Sequence, residues 1–414
     1  MRVSQAIMCR LIITITVLIL SSSCALQGVP HGAREGNTVS SESLLEASPL
    51  GSLAGSDTDL SGFDMLEVSP EMAAFLDKKV DSTDKQNEQL KQLAYAVMRS
   101  GEFSLVYDDS TGTASETFSR RHGNCMAFTN MFIAMSRELG LDARFQEVDV
   151  PPNWSMSRGS FLFSQHINVF VDLKQGRTRE VDFNMYDFDH ELDSRIISDD
   201  RARAHYFNNI GAEQMLNGET GPAYAHFRQS LLYDSTYAPA WINMGILHRR
   251  EGLPDYAEVA FLEALNQGGS PLMDVSRLTR DAGWLPPRQN DNELVAMSNL
   301  GNLYEEQGEP DLAREYFDKV NAHRMKNPYY RYQMAELAFE EGDYEAAISD
   351  LKYAIRRRKN ENEFYYLLSL SYLMDGDREE ALEWMQKAED VAQLNSEKER
   401  YHHKLDLLQS LNKN

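Results

Sequence analysis

The chain has 414 residues and a formal net charge of −23, with 41 Lys and Arg against 64 Asp and Glu. So acidic a chain is a poor partner for nucleic acid or anionic lipid through a general electrostatic field. The length suffices for more than one domain of ordinary size. Cysteines stand only at positions 9, 24 and 125, and the first two fall in a segment with export character. Cys125 is then the thiol expected in the mature fold. It has no internal partner, and an unpaired thiol in an exported protein needs a chemical reason.

Arg2 and Arg10 precede the apolar run Leu11–Leu20, and Ser21-Ser22-Ser23-Cys24 follows. A basic start, a short apolar core and small residues describe a secretory signal over residues 1–23. The run is too short for a membrane span, which takes roughly 20 residues. The small residues before Cys24 resemble a bacterial lipoprotein cleavage site, with Ser21 where that pattern usually has Leu. The resemblance implies that Cys24 becomes a lipidated N-terminus. Ala25 follows it rather than Asp, which implies the outer membrane, facing the periplasm. Residues 24–65 are rich in Ser, Gly and small residues without a sustained apolar period, and are expected to be a flexible tether.

Residues 66–200 read as helices followed by strands, an α+β pattern. Ser69-Pro70 opens a helix that carries Met72, Phe75 and Leu76. Leu90, Leu93, Val97 and Met98 give a second amphipathic helix. Asn124-Cys125 starts a third, with Phe128, Met131, Phe132, Met135 and Leu139 at helical spacing and Gly140 at its end. Strand-like runs follow at Ala143–Val150, His166–Leu173 and Arg179–Asn184, the last two joined by Lys174-Gln175-Gly176-Arg177 as a hairpin turn.

This order puts Cys125 at a helix N-terminus, where the dipole and free backbone amides favour a thiolate and a developing oxyanion. His166 begins one strand of the hairpin and Asp182 lies in the other. A thiol, an imidazole and a carboxylate are the parts of a nucleophilic set. Whether His166 and Asp182 share a face depends on the register. GNCMAFTNMFIAMSRELGLDARF, QHINVFVDL and EVDFN together resemble the transglutaminase-like core, a papain-related fold. The resemblance spans about residues 85–190. It implies Cys125 as nucleophile, His166 as base and Asp182 as the group that orients the imidazole. Ile167-Asn168 stand where the family often has an aromatic pair, which bears on specificity. His122 precedes the helix and is expected in a loop, and Trp154 is a candidate wall of the site.

From about residue 204 a pattern recurs at 34-residue spacing. Small residues Gly211, Gly245, Gly301, Ala335 and Ser369 are matched by large ones at Phe227, Phe261, Phe317, Leu351 and Met385. The small residue lets two helices approach, and the large one packs into the resulting groove. The pattern resembles the tetratricopeptide repeat. The resemblance implies an all-α superhelix of about five repeats over 201–394, starting near 204, 238, 294, 328 and 362, with a protein segment bound in its concave groove. One step is longer than the rest, so an insert is expected near 270–292. Residues 395–414 read as a capping helix. The basic run Arg356-Arg357-Arg358-Lys359 reads as a solvated helix end. The sequence shows no clustered Cys and His for zinc, and no cofactor is expected.

These observations together lead to an envelope-tethered thiol enzyme, a cysteine peptidase or amidase, whose repeats bind a protein partner or substrate. The rival is a non-catalytic repeat scaffold of the cell envelope that carries a relic papain-like domain.

Overall fold

The computed structural model describes residues 33–34, 36–54, 60, 63–98, 103–148, 155–157, 160–162, 166–174, 177–183, 194–268, 291–392 and 395–411. The signal segment, the lipidation candidate Cys24, Trp154 and most of the 270–292 insert lie outside them. The chain divides into two compact units, residues 1–150 with 165–267 and residues 151–164 with 268–414.

The first unit contains the α+β domain. After α1 (Ser41–Glu46) and a short 3-10 turn (Pro49–Leu53) come α2 (Pro70–Lys79) and α3 (Gln86–Met98). The hydroxyl of Ser69 caps α2 by accepting from the Met72 amide, with Pro70 at the first helical position. Next are β1 (Val106–Tyr107), α4 (Ala114–Arg120), β2 (His122–Gly123) and α5 (Cys125–Glu138). The strands β3 (Asp142–Val148), β6 (His166–Asp172), β7 (Thr178–Val181) and β8 (Ser194–Ile196) form one antiparallel sheet in the order β7-β6-β3-β8. A separate hairpin, β4 (Ser155–Ser157) with β5 (Ser160–Leu162), belongs to the second unit.

Helix α5 is the centre of this domain. Its residues from Met126 to Ser136 are all buried. Phe128, Met131, Phe132 and Met135 join Phe145, Ile167, Val169 and Val171 of the sheet in one apolar core. Each such side chain is worth about 1.5–3 kcal/mol of burial, so the core fixes the helix against the sheet.

The repeats follow as helix pairs. The first unit holds α6 (Asp199–Asn217) with α7 (Thr220–Tyr233) and α8 (Ala238–Arg250) with α9 (Pro254–Gly268). The second holds α10 (Asp291–Glu306) with α11 (Pro310–Arg324), α12 (Pro328–Glu341) with α13 (Tyr344–Arg357), α14 (Asn362–Asp375) with α15 (Arg378–Val391), and the final α16 (Asn395–Leu411). The small-to-large pattern has the expected cause. A Cβ on Gly211, Gly245 or Gly301 would meet the ring of Phe227, Phe261 or Phe317 at 2.5–2.7 Å. Arg356 to Lys359 are exposed at the end of α13.

Two expectations change. The boundary near residue 200 is not a break, because α6 begins at Asp199 and the first two repeats share a unit with the α+β domain. Arg137 at the end of α5 grips the Asp199 carboxylate with its two terminal guanidinium nitrogens, at 2.7 and 2.8 Å. Glu147 on β3, with a side chain only 5% exposed, accepts from Arg195, Arg201 and His205. Burial raises the Glu147 carboxyl, but His205 and the two arginines outweigh it and hold the group well below the carboxylate range. Burial keeps His205 neutral. Its Nε2–H therefore donates to Glu147, and its Nδ1 accepts from the Tyr237 hydroxyl at 2.9 Å.

The second change concerns the expected tether. Over residues 36–54 it is structured and docked on α7, α8 and α9, with Leu44, Leu45 and Leu50 buried. Its apolar residues are few and aperiodic, so their burial depends on partner helices distant in the chain.

Removing the Glu147 carboxylate leaves Arg201, whose side chain is 14% exposed, buried without its main counter-charge. Glu147→Ala is expected to cost the first unit about 3–5 kcal/mol in urea denaturation. A loss below about 1 kcal/mol would show that the network does not hold the joint.

Candidate thiol site

The site begins with how the sequence makes the start of α5. The Asn124 side chain accepts from the Ala127 amide at 3.0 Å and donates to Thr111 Oγ1 at 2.8 Å. Its own amide bonds the Ser110 carbonyl at 2.9 Å. One Asn therefore caps the helix and ties it to the 108–113 loop. Gly123 precedes it at a close approach, where a Cβ would lie 2.7 Å from that of Ala127 and 3.2 Å from the Ser110 carbonyl. The loop is braced by the first repeat, since Glu213 of α6 accepts from the Thr111 amide at 2.8 Å. Cys125 is the first residue of α5 and is partly buried.

The strand that carries His166 is held to the same helix. Thr129 Oγ1 donates to the Ile167 carbonyl at 3.3 Å. His166 starts β6 and is 8% exposed. Asp182 lies one residue beyond the end of β7. Val169 pairs with Val181. One step further along that register, Asp182 faces Asn168 and lies diagonal to His166 on the same face. His166 Nε2 donates to the Asp182 oxygens at 2.7 and 2.9 Å, and Asn168 Nδ2 donates to the same carboxylate at 3.1 Å. The Cys125 sulfur lies near enough to the His166 ring to favour its charged form as well.

Burial disfavours charge on His166, but Asp182 and Cys125 outweigh it and raise the ring to about 9. At neutral pH the ring is an imidazolium between a carboxylate and a sulfur. Such a pair can deliver a sulfur nucleophile and a proton to one carbonyl group.

Cys125 starts α5 and His166 starts β6, as expected, whereas Asp182, expected in the second strand of the hairpin, lies one residue past β7; its carboxylate still meets the His166 ring, with the Cys125 sulfur near by. Sequence reasoning missed Asn168, whose amide fixes the carboxylate; the EVDFN-opposite-HINVF pairing was the available signal. It also missed the pair beside the thiol. His122, expected in a loop, belongs to the short strand β2, and its Nδ1 lies 2.6 Å from Asp108 Oδ2. The Ser110 hydroxyl, and then His122, hold the Asp108 carboxyl low. Tyr107 pairs with Gly123 in the parallel β1–β2 bridge, and burial together with the neighbouring Cys125 sulfur raises its phenol. Among the described residues, no group of three or more His, Cys, Asp and Glu is arranged to hold a metal ion.

Comparison with known proteins finds matches in both parts of the chain. Residues 73–176 match a family model described as the transglutaminase-like superfamily, a match that ends before Asp182. Residues 295–321 and 332–395 match models of the tetratricopeptide repeat. Among curated proteins none matches this chain. Solved structures similar to it include YrrB, titled a TPR protein with an unusual peptide-binding site, at 19% identity over 49% of this chain and 91% of that one, TM-score 0.23. The Cut9–Hcn1 complex of the APC/C is 18% identical over 51% of this chain and 37% of that one, TM-score 0.24. MamA from Desulfovibrio magneticus RS-1 is 15% identical over 46% of this chain and 94% of that one, TM-score 0.23.

The raised His166 value has a consequence for stability. The ring rises from 6.5 to about 9 on folding, so its contribution is complete below pH 6.5 and is lost as pH climbs through about 9. The wild-type urea midpoint is expected to fall between pH 6.5 and 9.5, and that of His166→Gln to stay nearly flat. Equal slopes for the two proteins would contradict the assignment.

Proposed function

We propose that this chain, whose residues 73–176 form a transglutaminase-like domain and whose residues 295–395 form tetratricopeptide repeats, is a thiol enzyme acting on amide bonds in the cell envelope. The observation that carries the reading is His166, held by Asp182 at 2.7 Å with the Cys125 sulfur near enough to raise its ring. With the thiol proton held on His166, the Cys125 sulfur attacks an amide carbonyl and forms a C–S bond as the C=O π electrons move to oxygen. The start of α5 offers backbone amides to the oxyanion that develops. As the C–N bond breaks, His166 gives its proton to the departing amine. A thioester remains on Cys125. Water, deprotonated by His166, attacks the thioester, releases the acid and restores the thiol. Hydrolysis is the leading reading, so the enzyme is a peptidase or amidase; an amine acceptor would make it a transferase. Asp182 keeps the ring oriented and charged, and Asn168 keeps Asp182 in place.

The repeats mediate protein interaction, and in this reading they bring the substrate or dock the enzyme to a partner. The basic and apolar N-terminal run and the small residues before Cys24 support a lipid-tethered enzyme at the outer membrane, facing the periplasm. The acidic charge of −23 argues against a nucleic-acid partner.

Turnover of a peptide and amide substrate panel tests the chemistry. Cys125→Ala is expected to abolish both turnover and labelling by a thiol-directed probe. Asp182→Asn is expected to lower kcat by about 100-fold or more, because general acid–base catalysis contributes about 10²–10⁴. Turnover unchanged in Cys125→Ala would refute the reading and return the domain to a scaffold role. Palmitate incorporation in cells, lost in Cys24→Ser, tests the anchor; a chain that stays unlabelled would remove it.

A further inference from the structure

The segment before the α+β domain does more than connect. Residues 34 and 36–54 lie across α7, α8 and α9, about 180–220 positions away in the chain. Their anchoring is polar as well as apolar. Asn37 Nδ2 donates to Glu258 at 2.6 Å and the Ser41 hydroxyl to Glu263 at 2.5 Å. Both carboxylates are at least 95% buried beneath the segment. His248 Nδ1 donates to the Met244 carbonyl, so its Nε2 accepts from the Ser48 hydroxyl at 2.8 Å. The Tyr224 hydroxyl and the Arg228 guanidinium donate to the carbonyls of Leu44 and Leu45, which are backbone acceptors of the kind a bound peptide offers. Leu44, Leu45 and Leu50 supply the apolar contacts.

Three features mark this as a seat for a peptide rather than a piece of core. Carboxylates and an imidazole turned outward from the repeats toward the segment can be hydrated when it leaves, whereas core side chains cannot. An open cleft of about 430 Å³ runs along the seam between Leu45–Ala54 and α7, so solvent reaches the edge of this contact. Gly221 leaves room for the peptide backbone: a Cβ there would sit 2.0 Å from the Leu53 carbonyl oxygen.

We propose that the α7–α9 face is a peptide-binding site whose occupant is the chain's own residues 34–54, held in cis and exchangeable, so that this face is closed to other ligands until the segment leaves. A displacing segment has the same chemistry: an amide or hydroxyl for Glu258, a hydroxyl for Glu263, and a Leu-Leu pair for the groove. The proposal does not rest on the thiol chemistry.

A peptide-binding titration on the full chain tests it. The probe is a fluorescent peptide of residues 33–54. Wild type, with its site filled, is expected not to bind it. Leu44→Asp with Leu45→Asp, which expels the segment, is expected to bind one peptide per chain. Adding Gly221→Ala is expected to abolish that binding, since the new Cβ occupies the place of the Leu53 carbonyl. Hydrogen exchange on Gly221→Ala alone guards against a folding defect. Residues 36–54 should lose protection while α6 to α9 keep theirs. Loss of protection in α6 to α9 would make the segment a core element and overturn the proposal. So would a double variant with α6 to α9 protected that binds no peptide, or wild type that binds as well as the variant.

Discussion

The imidazole of His166 is the constraint on which the rest of this structure depends. One nitrogen is committed to Asp182 at 2.7 Å, and the Cys125 sulfur lies near enough to favour the charged ring. Three elements distant in sequence must therefore meet at this ring. The β6–β7 register sets the carboxylate, the Asn124 cap and the Gly123 close approach set the start of α5, and the Thr129 bond to Ile167 fixes helix to strand. The buried face of α5 supplies the apolar energy that holds these polar contacts at their distances.

A second constraint joins that domain to the repeats. Arg137 on Asp199 and the Glu147 cluster connect α5 and β3 to α6, and Glu213 of α6 braces the loop beside the thiol. The first two repeats therefore behave as part of the unit that contains the site rather than as a separable appendage. Buried charges at such a joint are satisfied only when all partners are present, which makes the joint specific and intolerant of single losses. The docked N-terminal segment adds a third layer to the same unit.

Much of this was legible in the sequence because local rules and global fold agree there. Asn124-Cys125 followed by Phe128, Met131, Phe132 and Met135 states a capped, buried helix, and Gly245 with Phe261 states a close helix pair. What the sequence hid depends on partners far away in the chain. Leu44 and Leu45 look like stray apolar residues in a Ser-rich stretch until α7 and α9 cover them. Glu147 reads as a solvent-facing strand residue until His205, Arg195 and Arg201 arrive. His122 reads as loop because a two-residue strand has no periodicity to detect. Asp182 could be placed near His166 from the hairpin, but the register that sets them diagonal on one face became readable only from the paired strands.

The titration of His166 by NMR on histidine-labelled protein is the most direct measurement of whether Cys125, His166 and Asp182 act as one unit. The account predicts a midpoint near 9 in wild type, with a fall toward 6.5 in both Asp182→Asn and Cys125→Ala. A wild-type midpoint already near 6.5, unmoved by either substitution, would contradict it.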